Sequence, residues 1–88
     1  MLKVLMKPIE MIAWFTKDGY PIPLRYRLVD EEEKNIVIKV DKILFKDEEK
    51  IAGNKMLLYR CESAINNTIR IFELKYEIAT CKWFLFKM

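Results

Sequence analysis

The side chains that most often carry chemistry in proteins are scarce in this 88-residue chain. It has no histidine, so it lacks Ser-His and Cys-His nucleophilic pairs, imidazole metal ligands and the usual general base near neutral pH. Its two cysteines, Cys61 and Cys81, fall short of the four nitrogen or sulfur ligands of a structural zinc site. The only glycines, Gly19 and Gly53, are too far apart for a phosphate-binding loop. We therefore expect no enzyme activity, no bound metal and no cofactor.

Carboxylates form two acidic runs, at residues 30–33 and 47–49. Such a run holds a hard cation when its oxygen ligands alternate around a turn with a central glycine. The runs lack that pattern, so we expect both to be solvated turns. Glu73 and Glu77 flank Lys75 on one strand face, an arrangement typical of charges that balance one another on a wet surface.

Two arginines are the first candidates for a binding site. Arg25 and Arg27 stand two residues apart, so they project from the same face of a strand, with Tyr20 shortly before them. Guanidinium groups so arranged bind the paired oxygens of phosphates or carboxylates. The alternative is that they form ion pairs with Glu73, Glu77 or the first acidic run.

The last segment of the chain is the second candidate. If Trp83 faces the core, then Lys82, Phe84 and Phe86 point outward. Phenylalanines between lysines suit a platform on which single-stranded bases stack. The same pattern is typical of a strand buried on both faces or of a seam between two copies, and we expect burial or self-association here. Trp14 raises the same question near the start of the chain.

Two hypotheses follow for a non-catalytic binding module. In the first, the module binds nucleic acid through a basic and aromatic strand face. The residues assigned to that face are Arg25, Arg27, Arg60, Lys82 and Phe84. In the second, it is a protein-interaction or homodimerising module with no nucleic-acid role. The residues assigned to that interface are Trp14, Phe84, Phe86 and Met88.

Short β-like runs recur at intervals of roughly ten residues, which is typical of small antiparallel barrels. Asp-Gly at 18–19, between the first two runs, is a strong hairpin signal. Pro21 and Pro23 cannot donate to a strand ladder, so the second run should begin at a sheet edge or a bulge. The six predicted strands are residues 9–16, 20–29, 36–47, 56–63, 69–80 and 81–88.

One of these runs, 36–47, also fits a helix. Apolar residues recur there at helical spacing, and Asp30 with Glu33 resembles a capping box. Against a helix, β-branched residues alternate from Ile36 to Val40. We predict a strand and keep a helix within 36–47 as the alternative.

The predicted fold is all-β: a single small antiparallel barrel, or a strongly bent sheet, of roughly five to six strands. The alternative is an α+β fold with a helix within 36–47. The expected core consists of Leu24, Tyr26, Leu28, Ile38, Val40, Leu58, Phe72, Leu74, Tyr76, Ile78, Trp83 and Leu85.

Composition fits one small domain spanning residues 1–88. Hydrophobic residues make up 52% of the chain and aromatic residues 12%, which excludes disorder. So short a chain builds only a modest core, and surplus apolar surface usually meets a second copy or a partner. The net charge of +3 permits a nucleic-acid partner without requiring one.

Targeting signals are not evident. Residues 1–6 contain one lysine and no apolar leader core, and no apolar run approaches the roughly 18 residues that cross a bilayer. We therefore expect a cytoplasmic protein with no membrane role, whose cysteines are free thiols. Met6 resembles a natural start, which makes 1–5 a candidate flexible N-terminal extension.

Several segments carry a resemblance to known sequences: MKPIE at 6–10, DG and PIPLRYR within 18–27, and YE and CKWFL within 76–85. Together they resemble a family of short uncharacterised proteins of Firmicutes, especially clostridia. The proline-arginine segment is also similar to a small actinobacterial domain of unknown function, whose relatives are linked with translesion-polymerase accessory proteins. The first resemblance covers most of the chain and the second a smaller part. They imply a bacterial protein and favour a nucleic-acid-related role, but bring no established activity.

Overall fold

A computed structural model describes residues 2–88. They form one antiparallel sheet of seven strands curled into a half-barrel, so the all-β prediction is confirmed with a slightly higher strand count. Among these residues no helix is long and apolar enough to span a membrane. The order across the sheet is β3-β2-β1-β7-β6-β5-β4. The strands are β1 (Val4–Phe15), β2 (Pro21–Val29), β3 (Asn35–Lys39), β4 (Lys42–Ile51), β5 (Asn54–Ile65), β6 (Thr68–Glu77) and β7 (Lys82–Lys87).

The segment 36–47, for which a helix was the alternative, is divided between two strands. β3 ends at Lys39 and β4 begins at Lys42, so the chain turns a corner between them. The helix alternative is wrong because the alternating β-branched residues pair with β2, where Ile38 lies opposite Tyr26.

Buried Ser63, on β5, holds that corner. Its hydroxyl donates to the carbonyl of Lys39 at 2.7 Å and accepts from the backbone N–H of Asp41 at 3.2 Å. The Asp41 carboxylate accepts in turn from the N–H of Ala64. Since β3 and β4 are the two outermost strands, these bonds draw the edges of the sheet together.

β1 belongs to both halves of the half-barrel. Its first half pairs with β7 as far as Ile9, which lies opposite Trp83. Its second half, from Glu10 to Phe15, pairs with β2. The sheet therefore splits beside β1, and from Met11 onward the side of β1 away from β2 has no strand partner among residues 2–88.

Tight hairpins place residues at positive φ. Ala52 and Gly53 join β4 to β5 with φ of 51° and 84°, and Asn66 and Asn67 join β5 to β6 with φ of 51° and 63°. Positive φ at both central residues is the type I′ arrangement, which matches the twist of paired strands. The turn predicted at 18–19 is also present, between β1 and β2.

The acidic run at 30–33 forms an exposed turn between β2 and β3. The Asp30 carboxylate accepts from the backbone N–H groups of Glu32 and Lys34 at 2.9 and 2.8 Å. The run at 47–49 lies within β4 and is not a turn. No group of acidic or cysteine side chains in residues 2–88 is arranged to hold a metal ion.

A bulge interrupts β2 directly after Pro23. Ala13 of β1 pairs with Pro23 while Ile12 pairs with Arg25, so Leu24 is left unpaired. The bulge that the prolines predicted is thus present, although β2 lies inside the sheet and not at an edge. Because one extra residue reverses the alternation, Pro23 is buried before the bulge and Tyr26 after it.

Most of the predicted core is confirmed. Leu28 and Val40 are partly buried against it. The buried hydrophobic residues are Tyr26, Ile38, Leu57, Tyr59, Cys61, Phe72, Leu74, Tyr76, Trp83 and Leu85.

Three expected core residues lie outside it. Leu24 is the exposed bulge residue, and Ile78 follows the end of β6 and is exposed as well. Leu58 is only partly buried, because Leu57 and Tyr59 face inward instead. The predicted alternation of β5 is therefore one residue out of phase with the structure.

The N-terminal residues described by the structure are part of the fold. β1 begins at Val4, and Lys3 exchanges two backbone hydrogen bonds of 2.9 and 3.0 Å with Met88. Residues 3–5 are therefore bonded to the sheet. Met1, the first residue of the expected extension, lies outside the described residues.

Candidate functional site

The outward side chains of β1, β2 and β3 form one continuous surface, which we call the cationic face. Strand pairing places Ile12 of β1 opposite Arg25 of β2, and Arg25 opposite Lys39 of β3. Residues directly opposite one another point to the same side of a sheet. The cationic face consists of Glu10, Ile12, Trp14, Arg25, Arg27, Val37 and Lys39.

The arginines of this face differ in their partners. Arg27 lies opposite Glu10, and its Nε donates to the Glu10 carboxylate at 2.7 Å. Its partner is therefore neither of the β6 glutamates nor the acidic turn. Arg25 and Lys39 have no carboxylate within 4 Å among residues 2–88. Two exposed cations on neighbouring strands are left without an ion-pair partner there.

Trp14 gives the cationic face a large aromatic surface. It lies two residues along β1 from Ile12, and 61% of its surface is exposed. Val37 on β3 is also exposed. A shallow cleft of about 360 Å³ lies on the same face between Ile12, Arg25 and Val37. Exposed apolar groups beside unpaired cations are typical of a binding surface.

The other candidate nucleic-acid-binding residues lie elsewhere. Arg60, on β5, is half exposed, and its Nε donates to the Glu73 carboxylate at 3.1 Å. Lys82 and Phe84 belong to β7, on the opposite side of β1 from β2; Phe84 pairs with Pro8 of β1, and Lys82 lies beside the split. The two arginines of the cationic face are thus separated from the other three candidates.

The candidate interface residues are also dispersed. Trp14 is on the cationic face, whereas Phe84 and Phe86 are partly buried on β7. Met88 packs partly buried against the core. Of these four residues, only Trp14 is largely exposed.

Phe86 covers a buried lysine on the outer side of β6. Lys75 is 8% exposed, and its ammonium lies 3.7 Å from the centre of the Phe86 ring and 3.0 Å from Oε1 of Glu49. Glu73, two residues away, is 7% exposed. The wet surface expected around Lys75 is absent because β6 has strands on both sides, whose long side chains lie over it.

A second concave surface, the β1–β7 groove, occupies the split beside β1. It has a volume of about 910 Å³ and opens to solvent. Lys82 is the one charged residue that lines it in the part of the chain that the structure describes. Its main apolar walls are Met11, Ala13 and Phe15 on one side and Tyr76, Cys81 and Trp83 on the other.

Aromatic rings form much of the groove. The Tyr76 ring lies 4.8 Å from that of Trp83 and 6.0 Å from that of Phe15, measured between centres. A hydrogen bond with the Cys81 side chain, together with burial, raises the pKa of Tyr76 to about 12. The Tyr76 hydroxyl is therefore neutral at physiological pH, and the groove offers no anionic group from it.

The two cysteines occupy opposite environments. Cys61 lies in the core, where burial raises the pKa of its thiol to about 12. Cys81 is exposed beside the groove. Both are free thiols, as expected. A fully protonated, buried thiol is a poor nucleophile, so Cys61 acts as a small core side chain.

Four members of the cationic face were not predicted from the sequence: Glu10, Ile12, Val37 and Lys39. The turn at 30–34 contained the signal for the position of Lys39, because residues equally far from the centre of a hairpin turn pair with one another. That rule places Lys39 opposite Arg25. It could not be applied while the segment 36–47 remained open between a strand and a helix.

Both surfaces are built by β1, whose alternate side chains point to the cationic face and to the β1–β7 groove. No protein-family model, curated protein or solved structure matches this chain. The guide to function is therefore the chemistry of the two surfaces.

Proposed function

We propose that this protein is a non-catalytic module that binds nucleic acid on its cationic face. The observation that carries the proposal is that Arg25 and Lys39 lie side by side, without carboxylate partners in residues 2–88, on the face that exposes Trp14. Cations without partners are available to phosphates, and an indole offers a flat surface to a base.

Single strands fit this face better than a duplex does. Reading a duplex from its major groove takes a protruding helix or a two-stranded ribbon. The described residues form no helix, and the cationic face is an open sheet surface. Aromatic side chains on open sheets stack on the splayed bases of single strands.

The small number of cations limits the expected affinity and its salt dependence. For single strands, the slope of log affinity against log salt is roughly −0.7 for each phosphate neutralised. Arg25 and Lys39 alone give a slope of roughly −1.4, and release of Arg27 from Glu10 brings it to roughly −2. A much steeper slope would mean that charges outside this face take part.

The test is a fluorescence-anisotropy titration with a labelled oligothymidine at several salt concentrations. We expect binding by the native chain with the shallow slope above. The double variant Arg25→Ala/Lys39→Ala should lose most affinity and most of the slope, because both phosphate contacts are gone. The matched control, Lys46→Ala/Lys50→Ala on the edge strand β4, removes the same charge from another surface and should bind nearly normally.

Stacking is tested separately with Trp14→Ala. Loss of one base–aromatic contact should weaken binding by roughly tenfold or more. Phe15→Ala, on the next residue of β1 but facing the groove, is the control and should change little. Absence of binding at low salt, or equal losses in test and control variants, would rule out nucleic-acid binding at this face.

Self-association is the competing use of the same exposed apolar groups. Ultracentrifugation of the unliganded chain distinguishes it: a dimer that Trp14→Glu converts to a monomer would replace the nucleic-acid proposal. We expect a monomer, because a two-fold pairing of this face would bring its unpaired cations together.

A further inference from the structure

The β1–β7 groove contains a strand edge that the fold does not use. Prolines of β2 stand opposite Ala13 and Phe15 and cannot donate to them. Hydrogen-bonded and non-bonded pairs alternate in an antiparallel ladder, so the backbone groups that bond to β2 are those of Ile12 and Trp14. The backbone groups of Met11, Ala13 and Phe15 point the other way, toward the groove.

Within residues 2–88, no backbone hydrogen bond from another segment reaches this edge. Pairing with β7 stops at Ile9, and the turn and loop bonds do not involve 11–15. An unpaired edge is a template for another strand, which proteins usually blunt with charges or proline. The outer edge strand β4 carries such charges at residues 46–50. Residues 11–15 of β1 contain neither a charge nor a proline.

We propose that the β1–β7 groove binds an extended peptide, which adds a strand along the free edge of β1. The apolar walls select a peptide with apolar side chains at alternate positions. Lys82 is the one charged residue lining the groove; Glu77 lies opposite it on β6, but among the described residues no carboxylate is within 4 Å of its ammonium. Charge complementarity therefore adds an acidic side chain where the peptide passes Lys82.

A strand fits these features better than a compact apolar ligand. A hydrocarbon or aromatic molecule would cover the walls but would leave the backbone groups of Met11, Ala13 and Phe15 without partners, at a cost in free energy. A peptide backbone satisfies them. The volume of about 910 Å³ is at the upper end of the usual range for ligand sites, about 300–1,000 Å³.

The free edge is tested first without any ligand, by amide hydrogen exchange measured with NMR. We expect the amides of Ile12 and Trp14 to be protected and those of Met11, Ala13 and Phe15 to exchange at least about tenfold faster. Protection of all five amides at high protein concentration, lost on dilution, would show that a second copy covers the edge and would overturn the proposal of a foreign peptide.

Binding is then tested with a capped nonapeptide of alternating valine and threonine that carries one central glutamate. We expect chemical-shift changes and new protection at the amides of Met11, Ala13 and Phe15. A version of the peptide with N-methyl groups on alternate residues keeps the side chains but cannot pair, and it should not bind. Equal binding of both peptides, no binding at millimolar concentration, or shifts confined to the cationic face would each overturn the proposal.

The charge requirement has its own matched variants. Lys82→Glu should lower the affinity for the glutamate peptide by at least about fivefold. It should also favour a peptide that carries lysine in place of the glutamate. Lys50→Glu makes the same charge change on β4 and should leave both affinities unchanged. Ala13→Leu fills the groove and should abolish binding, whereas Ile12→Leu on the opposite face of β1 should not. Equal effects of Lys82→Glu and Lys50→Glu would overturn the predicted contact.

Discussion

Lys75 shows how a charged side chain is accommodated inside the surface of a small sheet. Its ammonium is held between the face of the Phe86 ring and the carboxylate of Glu49. A cation is attracted to the negative face of an aromatic ring, and the attraction strengthens as water is excluded. Phe86, proposed from the sequence as an exposed interface residue, is therefore occupied on one face by the protein's own lysine.

Neutralising the partner of Lys75 should destabilise the fold. Glu49→Gln leaves a lysine that is 8% exposed without its counter-charge, and we expect the free energy of unfolding to fall by about 1–2 kcal/mol. The control is Glu48→Gln, whose ion pair with Lys55 is 3.8 Å long and exposed, so its cost should be below about 0.5 kcal/mol. Urea denaturation measures both. Equal midpoints for the two variants would contradict this account of Lys75.

The two thiols should differ sharply in reactivity. Cys81 is exposed, whereas Cys61 is buried and its pKa is raised to about 12. With an aromatic disulfide reagent at neutral pH, we expect one thiol to react in the folded protein and two after denaturation. Cys81→Ser should remove the fast reaction, and Cys61→Ala should leave it. A fast reaction of both thiols in the native chain would mean that the core opens readily.

At the scale of the elements, the two type I′ hairpins contain different residues at the same conformation. Ala52 and Asn66 both occupy the first turn position, with φ of 51°. A left-handed conformation strains an alanine more than an asparagine, whose side chain bonds locally to the backbone. The β4–β5 turn is therefore less stable than it would be with an asparagine at position 52.

Reciprocal substitutions test this difference. Ala52→Asn creates an Asn-Gly turn and should raise the free energy of unfolding by about 1 kcal/mol. Asn66→Ala should lower it by a similar amount. Thermal or urea unfolding provides the measurement, and both residues are exposed, so packing changes little. Shifts of the same sign in the two variants would contradict the assignment of these turns.

The elements were largely predictable because their signals are local. Alternation predicted most strands, and residue types alone predicted the turn at 18–19. The errors fell where alternation was ambiguous. β5 has apolar residues at both phases around Leu57 and Leu58, and the bulge at Leu24 reverses the phase within one strand. The prolines predicted an edge or a bulge near the start of β2, but which residue is the extra one depends on pairing with the neighbouring strand.

At the scale of the whole molecule, the cationic face could be predicted only in part. Arg25, Arg27 and Trp14 were selected from residue type, but their neighbours come from strand order and register. Placing Arg60, Lys82 and Phe84 on the same surface required a knowledge of topology that the sequence does not provide. The β1–β7 groove was not predicted either, because it arises where β1 leaves β7 for β2.

β1 links the two proposed sites through the geometry of a strand. Alternate side chains face opposite sides of a sheet, so Ile12 and Trp14 contribute to the cationic face while Met11 and Ala13 line the groove. A strand added in the groove would hold β1 in place without covering the cationic face. The two proposals can thus be tested independently on one chain.

Closure of the half-barrel should depend on one hydroxyl. Ser63 bridges Lys39 and Asp41, where the chain passes from one outermost strand to the other. Ser63→Ala would leave a carbonyl and an N–H unpaired at a partly buried corner, and we expect the free energy of unfolding to fall by about 2 kcal/mol. The control is Thr16→Ala, which removes an exposed hydroxyl bonded to a backbone carbonyl at 3.4 Å.

Amide hydrogen exchange in the Ser63→Ala variant shows which strands open first and so tests this role of Ser63. If Ser63 holds the edges together, amide exchange should accelerate first in β3 and at Asp41, while the central strands β6 and β7 keep their protection. The cationic face would then lose affinity for oligothymidine, since Lys39 lies on β3, whereas peptide binding in the β1–β7 groove would be retained. Uniform acceleration across the sheet would mean that Ser63 contributes to global stability and not to the placement of β3.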